Sequence, residues 1–195
     1  MIAQHLVRKQ LLHTARALAA SAAFLLSPLA TPVLAQQVTM ETLLDRIQIE
    51  DLLVRYYYDL SQGESHALSE YFTEDALLDV DGTIAKGRDE IAKLYQRPEP
   101  EAGAAPRPHN HMLLTNPVIE VNGDRAIAHV IWTGVTNEGV GKVPGLYEQG
   151  REDTELVKID GKWLIKQRYI SSDSGVPDRF DATYEPRENP LATSP

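Results

Sequence analysis

The stretch from His109 to Ser172, HNHMLLTNPVIEVNGDRAIAHVIWTGVTNEGVGKVPGLYEQGREDTELVKIDGKWLIKQRYISS, decides the fold. It divides into four strand-like runs: His109 to Val121, Arg125 to Asn137, Tyr147 to Ile159 and Lys162 to Ser172. Asn122-Gly123 and Asp160-Gly161 are tight-turn signals, because these residues accept the positive φ that a two-residue hairpin needs. Glu138 to Leu146 is a Gly-rich connection. Consecutive strands joined this way form an antiparallel meander. Such a sheet has an apolar face that must be covered.

The cover lies N-terminal to it. From Glu41 the apolar residues recur at helical spacing: Ile49, Leu52, Leu53, Tyr56, Tyr57 and Leu60 make one broad stripe. Glu41 and Asp45 sit near the start, where the helix dipole favours acids, and Gly63 ends the run. A second helix is expected over Ser65 to Phe72, burying Leu68, Tyr71 and Phe72. Asp75 to Val80 and Thr83 to Lys86 read as a short hairpin about the turn Asp81-Gly82. Gly87 to Gln96 reads as a third helix with Ile91, Leu94 and Tyr95 inward. Residues 97–108 form a loop with prolines at 98, 100, 106 and 108, the kind of long connection that often serves as a lid or rim. The expected class is α+β: a curved antiparallel or mixed sheet wrapped around three N-terminal helices, leaving a cone with an open mouth.

Composition bounds the function. The chain has 195 residues, room for one domain. It contains no cysteine, which excludes disulfides, a thiolate nucleophile and Cys-ligated metal. Residues 1–35 hold Arg8, Lys9 and Arg16 and no acid, then an apolar run from Ala17 to Leu26, then Val33-Leu34-Ala35. Basic, then apolar, then small is the order of a secretory signal, cut after Ala35. The expectation is export by the general secretory route to the periplasm or beyond. The apolar run of about ten residues is too short to span a bilayer, which takes about 20. Beyond residue 35 the balance is 16 basic against 28 acidic side chains. Neither nucleic acid nor an anionic membrane surface suits such a surface. Residues 173–195 carry prolines and charges with little periodicity and read as an arm or disordered tail.

Several local sequences, in this order and spacing over residues 41–172, resemble the SnoaL-like branch of the NTF2-like superfamily, which includes polyketide cyclases and scytalone dehydratase. They are Ile49-Glu50-Asp51-Leu52-Leu53 with Arg55-Tyr56, then Ala67-Leu68 with Tyr71-Phe72-Thr73-Glu74-Asp75-Ala76, then Gly87-Arg88-Asp89-Glu90-Ile91. His111-Met112-Leu113-Leu114-Thr115-Asn116-Pro117, Val121-Asn122-Gly123-Asp124 and Asp160-Gly161-Lys162-Trp163-Leu164-Ile165 complete the set. The resemblance implies a cone with a pocket between helices and sheet, and often a homodimer formed through the sheet. It also implies a histidine at the start of the first long strand acting as general acid or base, the position His111 matches. The carboxylate that orients that histidine in the family falls at Ser61 here. The tyrosines that accompany it fall at Leu60 and near Val80.

His111 is the leading candidate, since imidazole exchanges a proton near neutral pH. His109 shares its strand face. The two could form a metal pair, but no further glutamate and histidine stand at the needed spacing, so no metal or organic cofactor is expected. Asp59 is an alternative orienting acid, yet two residues place it about 200° around the helix. Glu152 shares a face with Glu148, Gly150, Thr154 and Leu156. The opposite face carries Arg151, Asp153 and Glu155, and three charges inside a cone would be costly, so Glu152 is expected inward as the partner of His111. Tyr57 would offer its hydroxyl to the cavity and Trp132 would line it, while Trp163 reads as core. No Gly-x-Ser-x-Gly elbow or phosphate-cradling loop occurs. The reading is an enzyme doing proton-transfer chemistry (isomerisation, elimination or cyclisation) on a small apolar organic molecule, with His111 and Glu152 catalytic and Tyr57, His109 and Trp132 contacting substrate. The alternatives are a non-catalytic carrier in the same cavity and a dimeric interaction module.

Overall fold

In the computed structural model, residues 38–62, 67–96, 109–175 and 191 are described. Helix α1 spans Met40–Gln62. Thr39 caps it: the Thr42 N–H donates to Thr39 Oγ1 at 3.3 Å and Thr42 Oγ1 accepts from the Thr39 N–H at 3.1 Å, a reciprocal cap that satisfies two otherwise unpaired donors. The helix buries Ile49, Leu53, Tyr56 and Tyr57 of the stripe expected from spacing, while Leu52 and Leu60 are half-buried. Each such side chain contributes about 1.5–3 kcal/mol of burial. Near its start Asp45 accepts from Trp163 Nε1 at 3.0 Å and pairs with Lys158 at 2.5 Å. Burial works to raise the Asp45 pKa, but these two partners outweigh it and hold the carboxyl below its ordinary value.

Residues 63–66 lie outside the described residues. The second helix expected over Ser65 to Phe72 is replaced by a single 3-10 turn, Leu68–Tyr71. Strand β1 begins earlier than expected and runs Phe72–Val80. Leu68, Tyr71 and Phe72 do fall at helical spacing, but Phe72 pairs with Ile165 in the sheet and is fully buried there. Ladder pairing overrides the local period. Asp81-Gly82, with φ of 51° and 91°, turns β1 into β2, Thr83–Lys86. Helix α2, Gly87–Tyr95, follows. The cover is therefore two α-helices and a 3-10 turn.

The meander comprises β3 (His109–Asn122), β4 (Arg125–Asn137), β5 (Gly145–Ile159) and β6 (Lys162–Ser174). β6 runs two residues into the segment expected as a tail. The loop 97–108, the segment 1–35 and, apart from Leu191, the tail from 176 lie outside the described residues. The six strands form one mixed sheet in the order β2-β1-β6-β5-β4-β3. β1 lies parallel to β6, and the other neighbours are antiparallel. α1 packs on the inner face, chiefly against β3. Strand β4 shows the two faces plainly: Ala126, Ala128, Val130 and Trp132 point into the core while the residues between them are half-buried on the outer face.

A bulge in β6 sets which of its side chains face the core. Leu156 pairs with Ile165 but Glu155 pairs with Gln167, which leaves Lys166 as an extra residue. One inserted residue reverses the parity of everything after it. Trp163 and Ile165 before the bulge, and Arg168, Ile170 and Ser172 after it, are consequently all buried on one face.

Candidate functional site

Glu152 sits at the centre of the inner face, between Val130 on β4 and Ile170 on β6. Its Oε2 accepts two hydrogen bonds, one from the Tyr57 hydroxyl on α1 and one from Arg168 Nη2 on β6 at 2.6 Å. Both side chains of this ion pair are 0% exposed. Taking two such charges out of water costs several kcal/mol per ion, recovered only by close partners. The partners are present. The Arg168 guanidinium lies 4.0 Å from the Tyr56 ring centroid and 5.2 Å from that of Tyr57, cation–π contacts that favour the charge. The Tyr56 hydroxyl in turn donates to that of Tyr95 on α2.

The titrations follow from burial. Burial, then the Glu152 charge, pushes the Tyr57 phenol well above its ordinary value. Burial and then Tyr95 do the same to Tyr56, and burial raises Tyr95. Burial works against the Arg168 charge, but Glu152 together with Tyr57, Tyr56 and Tyr95 outweighs it and holds the guanidinium charged. At neutral pH the three phenols are neutral and the guanidinium is charged.

The cluster is incompletely satisfied. Glu152 Oε1, Arg168 Nε and Nη1, Trp132 Nε1 and Thr154 Oγ1 are buried and have no hydrogen-bond partner. Unpaired buried polar atoms are rare, and each calls for an explanation. These five come from inner-face neighbours. Thr154 stands directly across from Arg168, Glu152 is two residues along β5 from Thr154, and Trp132 stands across from Gly150. The Trp132 indole lies against β5 because Gly150 has no side chain: a Cβ there would sit 2.5 Å from the ring and collide with the Ser171 carbonyl oxygen.

The structure separates His111 from this cluster. His111 pairs with Val135 on the outer face and is exposed, while Met112 and Leu114 take the inward positions of β3. The expected His111–Glu152 pair therefore does not form, since the thickness of the sheet lies between them. His109 is exposed too, its carbonyl accepting from Asn137 Nδ2 at 3.1 Å. Among the described residues no group of three or more His, Asp or Glu side chains is arranged to hold a metal. Asp59 accepts from Tyr71 at 2.7 Å, and burial and this bond push the Tyr71 phenol up to about 12. Ser61 donates to the Tyr58 carbonyl at 2.7 Å. Glu152, Tyr57 and Trp132 are brought together. Arg168 and Thr154 join them without having been singled out in the sequence, because simple alternation from Trp163 turns Arg168 outward and only the bulge at Lys166 reverses it. Sequence reasoning also missed a His129–Asp153 pair, formed at 2.5 Å on the outer face. A surface pocket of about 550 Å³ lies on that outer side, over Val157, Ile159 and Leu164 where β1 loops away from β6; no residue of the cluster lines it.

Residues 41–169 match the family model described as a SnoaL-like domain. The chain belongs to the SnoaL-like family. Solved structures agree on the fold. A candidate scytalone dehydratase from Novosphingobium aromaticivorans superposes with a TM-score of 0.54 at 22% identity, over 67% of this chain and 85% of that one. An NTF2-like protein with a cystatin-like fold from the same organism gives 0.57 at 24% identity, over 70% and 86%. ActVI-ORFA from Streptomyces coelicolor gives 0.57 at 17% identity, over 66% and 96%. No curated protein sequence matches the chain. This SnoaL-like domain thus carries its family's cone, with a fully buried ion pair, Glu152–Arg168, on the inner face of its sheet.

Proposed function

We propose that this SnoaL-like chain is an enzyme that moves a proton on a small, mainly apolar organic molecule, in an isomerisation, elimination or cyclisation. Glu152 is the proton acceptor and Tyr57 the phenol that orients it. One observation carries this reading: Tyr57 and Arg168 fix Glu152 Oε2, while Oε1 of the same buried carboxylate is unpartnered. A general base needs one oriented, unoccupied lone pair within reach of the substrate, and such a group is worth about 10²–10⁴-fold in rate. Tyr56, Tyr57, Val130 and Trp132 supply apolar surroundings. The candidate scytalone dehydratase among the structural relatives makes elimination a natural member of the set. His111 has no place in this chemistry.

The decisive test is solvent-deuterium uptake into ring ketones, enones and lactones incubated with the protein, followed by NMR. Uptake by the wild type that falls about 100-fold or more in Glu152→Gln supports the reading. The direct ion pair to Arg168 favours a second one, a carrier in which Glu152 is a static polar anchor. Ligand binding without deuterium uptake or product establishes that alternative.

The same proposal includes export, with residues 1–35 as a signal cut after Ala35, and a homodimer through the outer sheet face, where Ile127, Ile131 and Val135 are only half-buried. A mature N-terminus at Gln36 and a solution mass twice that of the chain are the expected findings.

A further inference from the structure

We infer that the solvent side of α1 is a helix-pairing seam that binds α1 of a second copy of the chain in antiparallel orientation. This contact lies on the opposite side of the sheet from the outer-face dimer proposed above and does not depend on it.

A helix that covers a sheet needs one apolar stripe, and α1 has two. The first, Ile49, Leu53, Tyr56 and Tyr57, is buried. The second, Met40, Leu44, Ile47, Val54 and Tyr58, projects from the opposite side of the helix, and each of its residues is more than half exposed. Apolar side chains scattered singly over a surface need no explanation. These are not scattered. With Asp51 they stand at 40, 44, 47, 51, 54 and 58, in alternating steps of four and three. That is the 3.5-residue period by which one helix meets another along its length. The seam is about 27 Å long, which suits a weak, concentration-dependent pair.

Charge selects the occupant and its direction. One flank of the seam carries Glu41, Gln48 and Arg55. When two copies of α1 pair antiparallel about a two-fold axis near Gln48, each Glu41 meets Arg55 of the second copy and the two Gln48 side chains meet each other. Along the seam Met40 then faces Tyr58, Leu44 faces Val54 and Ile47 faces Asp51, which stays paired with its own Arg55 at 2.7 Å. A parallel pair instead sets Asp51 against Asp51 in the middle of the seam, and like charges so placed are costly. One repulsion, Glu50 against Glu50 on the other flank, opposes the two attractions. An anionic membrane suits this face poorly, since a surface-bound helix carries a basic polar side, whereas Glu41, Glu50 and Asp51 outnumber Arg55, the exposed base of α1.

The chain has no cysteine, so introduced thiols report the pairing directly. The full chain carrying Leu44→Cys and the full chain carrying Val54→Cys, both changes at exposed positions, are treated with a short bismaleimide, singly and mixed. The mixture is expected to give a two-chain product. Each variant alone should give at least about tenfold less, because ten residues of helix then separate a thiol from its copy by about 15 Å. Ile47→Glu, also at an exposed position, should abolish the mixed product. In sedimentation of the otherwise native chain it should weaken self-association at least about tenfold. A single variant that links to itself as well as the mixture does overturns the antiparallel orientation. Absence of product in every combination at high chain concentration overturns the seam, and so does a product indifferent to Ile47→Glu.

Discussion

The two faces of the sheet handle charge in opposite ways. On the outer face Arg125 meets Glu155, Arg151 meets Asp173 at 3.1 Å, and His129 meets Asp153, in each case with at least one partner in contact with solvent. On the inner face Arg168 meets Glu152 with neither exposed. Glu152 and Asp153 are adjacent in sequence, and only the alternation of a strand puts one in each environment. Water reaches both members of the Arg151–Asp173 pair and makes it worth about 1 kcal/mol or less. It is excluded from the inner pair, whose every unmet hydrogen bond therefore carries weight. Position relative to the sheet, more than residue type, separates structural charge from candidate chemistry.

The sharpest way to break this comparison is to truncate one cation on each face. Arg168→Met should cost about 3–5 kcal/mol in chemical denaturation, since it strands a buried carboxylate. Arg151→Met should cost less than about 1 kcal/mol. Equal costs would mean the faces do not differ as described. The double change Glu152→Leu with Arg168→Met should recover most of the stability, because an apolar pair of similar volume needs no desolvation.

Packing gives the next largest contrast. Gly150→Ala places a methyl against Trp132 and the Ser171 carbonyl, with an expected loss of about 1–3 kcal/mol. Gly141→Ala meets nothing within 4 Å and should stay within about 0.5 kcal/mol. Melting temperatures of the two variants check this. Tyr57→Phe removes one donor from a buried carboxylate and should cost about 1–3 kcal/mol, with deuterium uptake falling alongside stability.

The tyrosines add a pH dependence. Tyr57, Tyr56 and Tyr95 have folded pKa values raised above the ordinary value of 10.0, each chiefly by burial. Above that value the unfolded chain sheds protons that the folded chain keeps, so their contribution is complete below about pH 10 and declines as pH rises further. Phenolate absorbance should therefore appear together with unfolding for these residues. The smallest effect is His111→Ala, which should change stability by less than about 0.5 kcal/mol and leave deuterium uptake intact. Lost uptake in a folded variant would return His111 to the site.

Much of the architecture was legible because it depends on local chemistry. The hairpin turns at Asp81-Gly82 and Asp160-Gly161 follow from residues that tolerate positive φ, and the buried stripe of α1 follows from its spacing. Glu152 was readable as inward by comparing the two faces of β5. The segment 65–72 misled because Leu68, Tyr71 and Phe72 fit a helix locally while Phe72 is claimed by a parallel ladder more than 90 residues away in sequence, at Ile165. His111 was legible as a reactive residue type on a strand, yet nothing local states which side of that strand faces the helices.

Sequence alone thus determined the class of fold, the position of most elements and the residue types available for chemistry, since periodicity, turn propensity and composition act over a few residues. The tertiary structure decided the site. Whether Arg168 or Gln167 points inward depends on one inserted residue, Lys166, in the pairing of β6 with β5. Whether His111 or Met112 does depends on which face of β3 the helix α1 covers. Both are choices of parity, made where distant strands are brought together and apolar surface is withdrawn from water, and a period of two leaves either choice open until that contact is made.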